Sequence, residues 1–164
     1  MKKKTKNTII KTVLVVAALL AVIACFGVFL NRDKAPEGFD LVKVSYEVGS
    51  LDSAGKYAES KSHLYTKDAI ECQGGVRVDL EFDSSVTFQV FYYDEDDTFI
   101  ESTETFEKTS TTEAPEDAVY ARILVTPIWG DDVEEDDQTI NIFNKNKFTK
   151  QLVVSVAEVE ESES

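Results

Sequence analysis

An uncharged apolar run, Val13 to Leu30, divides this chain into two parts that must meet different surroundings. Every charged residue before the run is a lysine, and the run itself is 18 residues long. At about 1.5 Å per residue, a helix of that length reaches roughly 27 Å, close to the thickness of the hydrocarbon core of a bilayer. The run therefore predicts one transmembrane helix over residues 13–30, in contact with membrane lipid.

The lysines predict the orientation of this helix, because the cytoplasmic flanks of membrane spans are rich in Lys and Arg. Residues 1–12 are expected to form a cytoplasmic basic tail of a single-pass cell-membrane protein, with the C-terminal part extracellular. Two alternatives stay open: a cleaved secretory signal, and a lipoprotein signal in which Cys25 carries the lipid. Against both, five further non-polar residues, 26–30, continue the run beyond Cys25.

The part after the helix is strongly acidic, with 12 basic against 31 acidic residues and a formal charge of −19. Such a surface repels nucleic acid and anionic lipid headgroups, so both are poor candidates for partners of this part, and no nucleic-acid partner is expected. Residues 31–38 contain Pro and Gly and are expected to be a linker, residues 39–157 one domain, and residues 158–164 a disordered acidic tail. Cys72 is the lone cysteine of this part, so no disulfide can form within the domain.

Apolar and polar residues alternate through most of residues 39–157, which is typical of strands with one face on a core and one in water. Eight or nine such strands with turn signals between them predict an all-β fold, an antiparallel β-sandwich. The segments with this alternation are 42–48, 76–82, 86–92, 119–125, 140–142 and 148–156. Helix is expected to be scarce outside the membrane segment.

Three stretches of the domain resemble a β-sandwich module of Gram-positive bacterial surface proteins. They are a Gly-rich opening followed by Thr66-Lys67-Asp68-Ala69-Ile70, an aromatic strand closing on an acidic hairpin at residues 90–100, and the strand Pro115 to Ile123. The module is similar to galactose-binding-like and carbohydrate-binding jelly rolls. The resemblance implies a jelly-roll-like sandwich that accompanies enzymes without being one.

The residues themselves give little support for catalysis. The outer part has one histidine, His63, and lacks a nucleophile elbow, a phosphate loop and a Cys-x-x-Cys pair. His63 is expected at a strand position with ordinary polar contacts. The protein is therefore predicted not to be an enzyme. The alternative, a hydrolase, would require His63 to lie beside carboxylates in a cleft.

Acidic clusters suggest one metal hypothesis. Asp94, Asp96 and Asp97 lie together in a predicted hairpin tip, and Ca²⁺ is bound by six to eight oxygens that often come from loop carboxylates. A structural calcium ion is therefore a candidate at this hairpin. The run lacks the glycine-centred spacing of a calcium loop, and solvated loop surface is the alternative. No other cofactor is indicated.

Aromatic side chains beside carboxylates provide the remaining lead. Trp129 follows a predicted strand directly and is followed by Asp131 and Asp132, while Tyr93 lies on the strand parity opposite to the core. Sugar rings stack on aromatic side chains while carboxylates bind their hydroxyls, so these four residues are candidates for binding a glycan or cell-envelope ligand. Packing of Trp129 in the core is the alternative. The predicted function is thus a membrane-anchored, non-catalytic binding module, with an accessory subunit for another membrane or surface protein as the second possibility.

Overall fold

The computed structural model describes residues 35–158, and this part of the chain is built almost entirely from β-strands. Residues 145–149 form one short helix, α1, and residues 135–137 form a single 3₁₀ turn. The strands within this range are β1 (Phe39–Val42), β2 (Tyr46–Val48), β3 (Ser50–Leu51), β4 (Tyr57–Ala58), β5 (Leu64–Thr66), β6 (Ile70–Glu71), β7 (Val76–Leu80), β8 (Val86–Tyr93), β9 (Phe99–Ser102), β10 (Ser110–Thr112), β11 (Tyr120–Pro127) and β12 (Leu152–Ala157).

Two antiparallel sheets account for most of these strands. The first sheet has the order β1-β12-β7-β10, and the second has the order β2-β5-β11-β8-β9, with β6 also paired to β11. Strands β3 and β4 form a separate small hairpin. The predicted all-β antiparallel class is therefore confirmed, and the arrangement is consistent with a β-sandwich.

One hydrophobic core joins the two sheets. Its members alternate along each strand, as the sequence pattern predicts, so that Val76 and Val78 of β7 meet Phe88 and Val90 of β8. Cys72 belongs to this core and is buried there as a small apolar side chain. The core residues with no more than 1% exposure include Leu64, Cys72, Val76, Val78, Val86, Phe88, Val90, Tyr92, Ala121, Ile123, Val125 and Val154.

A second apolar cluster lies on the other face of the second sheet. Phe91 and Tyr93 of β8 and Leu124 of β11 point away from the main core, and Leu51 of the β3–β4 hairpin packs on them. The hairpin thus covers part of a sheet face that the alternation alone would leave to solvent.

Two predicted strand segments have a different structure. Ile140 is buried but belongs to a loop, where its N–H donates to the Lys61 carbonyl. Asn141 accepts hydrogen bonds from the N–H groups of Phe143 and Asn144, which gives the backbone a turn in place of a strand ladder. Phe148 is the buried residue of α1. The strand predictions at residues 140–142 and 148 were therefore wrong.

The expected number of strands was also too low. Residues 35–158 contain twelve strands where eight or nine were predicted, and the excess consists of strands of two or three residues. Helix is scarce there, as predicted.

The predicted cytoplasmic tail, the transmembrane segment 13–30 with Cys25, and residues 159–164 of the acidic tail lie outside the described residues. Between residues 35 and 158, no helix has the length and apolar character needed to cross a membrane.

Candidate functional site

Trp129 lies two residues beyond the end of β11, and its ring is partly used in packing. The indole meets Phe148 of α1 edge-on, with ring centroids 5.3 Å apart and an angle of 66° between the planes. It also packs against the main core. Asp131 and Asp132 follow in an exposed turn. One side of the indole is therefore occupied by protein, while the two carboxylates face solvent.

Tyr93 is separated from Trp129 and is covered by other side chains. It ends β8 with 2% exposure, and its hydroxyl donates a 2.7 Å hydrogen bond to the Gly55 carbonyl in the β3–β4 hairpin. Trp129 follows the strand position that pairs with Val86, at the opposite end of β8. At about 3.3 Å per residue, the backbone of β8 spans roughly 23 Å from Val86 to Tyr93. Tyr93 and the Trp129 loop therefore do not form one small-ligand site.

Two carboxylates of the acidic hairpin, those of Asp94 and Asp97, are engaged in structural contacts. Asp94 Oδ1 accepts the N–H groups of Asp96 and Thr98 at 2.9 and 2.8 Å, which closes the turn between β8 and β9. Asp97 has a positive φ of 59° and pairs with Arg122. Within residues 35–158, no group of three or more His, Cys, Asp or Glu side chains is arranged to hold a metal ion. The geometry of Asp94, Asp96 and Asp97 therefore gives the calcium hypothesis no support.

Arg122 connects the acidic hairpin to the outer sheet face. Its two terminal nitrogens lie 2.6 and 3.3 Å from the two oxygens of Asp97, and its guanidinium carbon lies 4.8 Å from the centre of the Tyr93 ring. The hydrogen bond to Asp97 is the main reason that the pKa of Arg122 is raised. The pair orders the hairpin over Tyr93, as expected for a planar cation stacked on an aromatic ring.

A polar and aromatic patch lies on the outer face of the second sheet. We call it the tyrosine face and define it by Glu47, Tyr57, Tyr65 and Lys67. Tyr57 is 59% exposed, and its ring lies 5.6 Å from that of Tyr65. The Tyr65 hydroxyl donates to Glu47 over 3.3 Å, and Lys67 forms an ion pair of 3.3 Å with the same carboxylate. An accessible ring thus adjoins a carboxylate and an ammonium group.

The backbone at Gly49 makes room for the two rings. A Cβ at this position would lie 2.7 Å from Tyr57 and 3.0 Å from Tyr65, and the backbone has a φ of +154°. The Gly49 N–H donates to the carbonyl of His63, which holds the hairpin beside β5. Glycine is therefore required here for the rings to lie over the strand.

The electrostatics of the tyrosine face keep Tyr65 protonated. Burial against the sheet is the main reason that the pKa of Tyr65 is raised, and the hydrogen bond to Glu47 and the negative charge of that carboxylate add to the effect. The phenol therefore keeps its proton and donates a hydrogen bond to the Glu47 carboxylate.

The sequence analysis did not identify Glu47, Tyr65 and Lys67 as site residues. A signal existed, because Tyr65 and Lys67 share the strand parity opposite to the buried Leu64 and Thr66. The pairing of β2 with β5, which sets Glu47 opposite Tyr65, could not be read from the chain.

His63 has the local polar contacts expected of it, although it lies one residue before β5. Its Nδ1 is 2.9 Å from the Ser60 hydroxyl and 3.1 Å from that of Ser62. Burial lowers the pKa of His63, whereas a carboxylate that orients a catalytic imidazole would raise it.

Comparisons of the chain with protein-family models, with curated proteins and with solved structures found no match.

Proposed function

We propose that this protein is a non-catalytic binding module that recognises a hydroxyl-rich ligand, a glycan or cell-envelope component, through the tyrosine face. The observation that carries the proposal is the exposed Tyr57 ring, which is tilted by 53° against the Tyr65 ring and lies next to the Glu47–Lys67 pair. A sugar offers apolar C–H faces to the ring, and its hydroxyls bind carboxylate and ammonium groups.

The proposed fold of the module is a jelly roll. Eight principal strands support it: β1, β5, β7, β8, β9, β10, β11 and β12. They pair in a nested order, in which β1 pairs with β12, β5 with β11, β7 with β10, and β8 with β9. Nested antiparallel pairing distributed over two sheets is the pattern of the jelly roll.

The ligand surface proposed here differs from the residues predicted from sequence. Trp129, Asp131 and Asp132 lie at the far end of β11 from Tyr93, and Tyr93 is covered, so the tyrosine face offers the better set of accessible groups. The Trp129 loop remains a second surface for the same class of ligand.

We further propose that residues 13–30 hold the module in the cell membrane, with residues 35–158 outside the cell. The support is the apolar run and its lysine flank.

The proposal is tested by screening the full chain in a mild detergent on a glycan array and titrating the glycans that bind by calorimetry. Tyr57→Ala removes the accessible ring and should weaken binding at least tenfold, while Tyr57→Phe keeps the ring and should retain most of it. Phe143→Ala, which removes an exposed ring from another loop, is the matched control. Absence of binding to any glycan, or equal binding by the Tyr57→Ala variant, would contradict the proposal.

A further inference from the structure

Four large apolar side chains are exposed on the loops at one end of the sandwich. They are Phe82 at 96%, Phe143 at 89%, Ile142 at 81% and Ile128 at 52% exposure. We call this surface the apolar end. Isolated exposed apolar residues are common, but several on one surface mark an interaction site.

Hydrogen bonds between three loops show that these side chains share one end. The Ser85 N–H donates to Gln151 Oε1 at 2.7 Å, and the Ser85 carbonyl accepts the N–H of Ile128 at 2.7 Å. Gln151 Nε2 also donates to the carbonyl of Lys147 at 2.7 Å. The β7–β8 turn, the segment after β11 and α1 are therefore joined around Ser85 and Gln151.

The β7–β8 turn holds Phe82 away from the core. Asp83 has a positive φ of 64°, and the Ser84 N–H closes the turn on the Glu81 carbonyl at 3.1 Å. Burial of such an exposed phenyl ring by a partner removes apolar surface from water and therefore favours binding.

A cleft of about 480 Å³ opens beside Phe82. It lies between the turn at 81–84 and the loop at 107–109, and Leu80 and Phe82 form the apolar part of its wall. The loop is tied to β7 by a 2.9 Å hydrogen bond from the Leu80 N–H to the Thr109 hydroxyl. The cleft is large enough for a long side chain. Its charged lining residues are three carboxylates, Glu81, Asp83 and Glu107, and one ammonium group, Lys108.

The loops of this end carry an excess of negative charge. Residues 81–85, 103–109 and 128–151 hold ten Asp or Glu against four Lys. Among these lysines, Lys145 donates to the Tyr46 carbonyl and Lys147 lies over the ring of Phe148. Charge complementarity therefore favours an occupant of the apolar end that is positively charged as well as apolar.

We propose that the apolar end docks a basic segment of another protein, in which Lys or Arg residues alternate with apolar ones. A long basic side chain enters the cleft with its aliphatic stem on Phe82 and its charge near Glu107. The apolar residues of the segment cover Ile142 and Phe143. A second copy of this chain and an anionic membrane are both disfavoured by like charge.

The apolar end lies opposite the end of the domain where residues 38 and 158 meet. The Glu158 N–H donates to the Gly38 carbonyl, so residues 38 and 158 lie together at the far end of β12 from Leu152. This surface differs from the tyrosine face, and the proposal does not depend on the glycan hypothesis. It gives the accessory-subunit alternative a specific contact surface.

Trp129, the single tryptophan of the chain, lies next to Ile128 and reports on this surface by fluorescence. The full chain in dodecyl maltoside is titrated with three tryptophan-free ten-residue peptides that alternate Lys with Leu, Lys with Ser, and Glu with Leu. We expect the Lys–Leu peptide to bind, with a dissociation constant that rises with salt, the Lys–Ser peptide to bind at least tenfold more weakly, and the Glu–Leu peptide not to bind.

Phe82→Ala should weaken binding of the Lys–Leu peptide at least fivefold, and Tyr57→Ala should leave it unchanged. Equal binding of the Lys–Leu and Lys–Ser peptides, or an unchanged Phe82→Ala variant, overturns the proposal. A dimer in sedimentation velocity that Phe143→Ala disperses assigns the surface to a second copy and overturns it. If phosphatidylcholine vesicles shift the fluorescence emission of Trp129 and Phe82→Ala abolishes that shift, the surface binds lipid. That result also overturns the proposal.

Discussion

Two buried tyrosines of the core show that the effect of a hydroxyl on stability depends on whether it has a hydrogen-bond partner. Tyr92 shares a 2.5 Å hydrogen bond with the Thr112 hydroxyl, which donates onward to the Val76 carbonyl. This chain connects β8 of one sheet to β10 and β7 of the other. The Tyr46 hydroxyl is also buried, but it has no hydrogen-bond partner within residues 35–158.

Removing the two hydroxyls should therefore have opposite effects. Tyr92→Phe should lower the free energy of unfolding by about 1–2 kcal/mol, because Thr112 loses a buried partner. Tyr46→Phe should leave it unchanged or raise it by about 1 kcal/mol, because an unpaired buried hydroxyl is no longer desolvated. Urea unfolding of both variants measures the difference. A loss of similar size in both variants would contradict the hydrogen-bond assignment.

Cys72 makes the stability of the domain sensitive to alkaline pH. Burial raises the pKa of its thiol from the ordinary value of 9.0 to about 12. Between pH 9 and 12 the unfolded thiol is ionised while the folded one keeps its proton, so the unfolded state binds fewer protons and stability falls as pH rises. Below pH 9 the contribution is fully present.

Comparison with a variant that lacks the thiol isolates this effect. Wild-type protein should lose about 1.4 kcal/mol per pH unit from this group between pH 9 and 11, in addition to losses from tyrosines. Cys72→Ala should be less stable at pH 8, because it leaves a small cavity, but its stability should fall less steeply with pH. Urea unfolding at pH 8, 9, 10 and 11 gives the slope of the free energy of unfolding against pH for both proteins. Equal slopes would contradict the raised pKa of Cys72.

At the scale of elements, the β3–β4 hairpin packs on the outer face of the second sheet and so buries a second small core. Its close contact depends on Gly55, which has a φ of +69° and whose carbonyl accepts the Tyr93 hydroxyl. A Cβ at Gly55 would lie 2.4 Å from the Phe99 ring and 2.9 Å from the Tyr93 hydroxyl. No side chain can be added there without moving the hairpin or both rings.

Gly55→Ala should therefore lower the free energy of unfolding by more than the cost of the backbone conformation alone, which is about 1 kcal/mol. Gly38→Ala is the matched control, because Gly38 also has a positive φ, of +80°, but nothing lies within 4 Å of the added carbon. Hydrogen exchange should show faster exchange in residues 50–58 for Gly55→Ala only. Equal losses in the two variants would mean that packing of the hairpin contributes little.

The long strands could be predicted from the sequence because each carries its own alternation. Val76–Leu80 and Val86–Tyr93 are bounded by turn residues and need no distant information to be recognised. Strands of two residues, such as Ile70–Glu71, exist only because β11 offers them partners. Ile140 has the composition of a strand, but asparagine side chains nearby hold the backbone in turns.

The candidate site was predicted less well than the fold for a related reason. Trp129 was correctly placed after a strand, but its packing on Phe148 depends on a helix that the alternation of 140–156 concealed. Tyr93 has the parity of an exposed residue and is buried because a hairpin some 40 positions earlier folds over it. The tyrosine face depends on the pairing of β2 with β5, and the sequence of neither strand identifies its partner.

At the scale of the whole molecule, the location of the domain depends on the segment before residue 35. Two readings of that segment both place the domain at the membrane surface, one through a helix over 13–30 and one through lipid on Cys25. They differ in covalent chemistry. A lipoprotein loses residues 1–24 and carries its lipid on the cysteine, whereas an anchored chain keeps Met1 and needs no thiol at position 25.

Cys25→Ser separates these readings, because serine removes the thiol and leaves 17 other residues of the run unchanged. We expect the variant to remain in the membrane fraction after alkaline carbonate, at the mass of the intact chain, since one hydroxyl costs little against the transfer of so many apolar side chains to lipid. Leu20→Arg with Val16→Arg is the opposing control, because two charges near the centre of the span should release the chain. A wild-type mass beginning at Cys25, or loss of Cys25→Ser from the membrane, would replace the helix with a lipid anchor. A soluble wild-type chain beginning after Ala24 would favour the cleaved signal and free the domain from the surface.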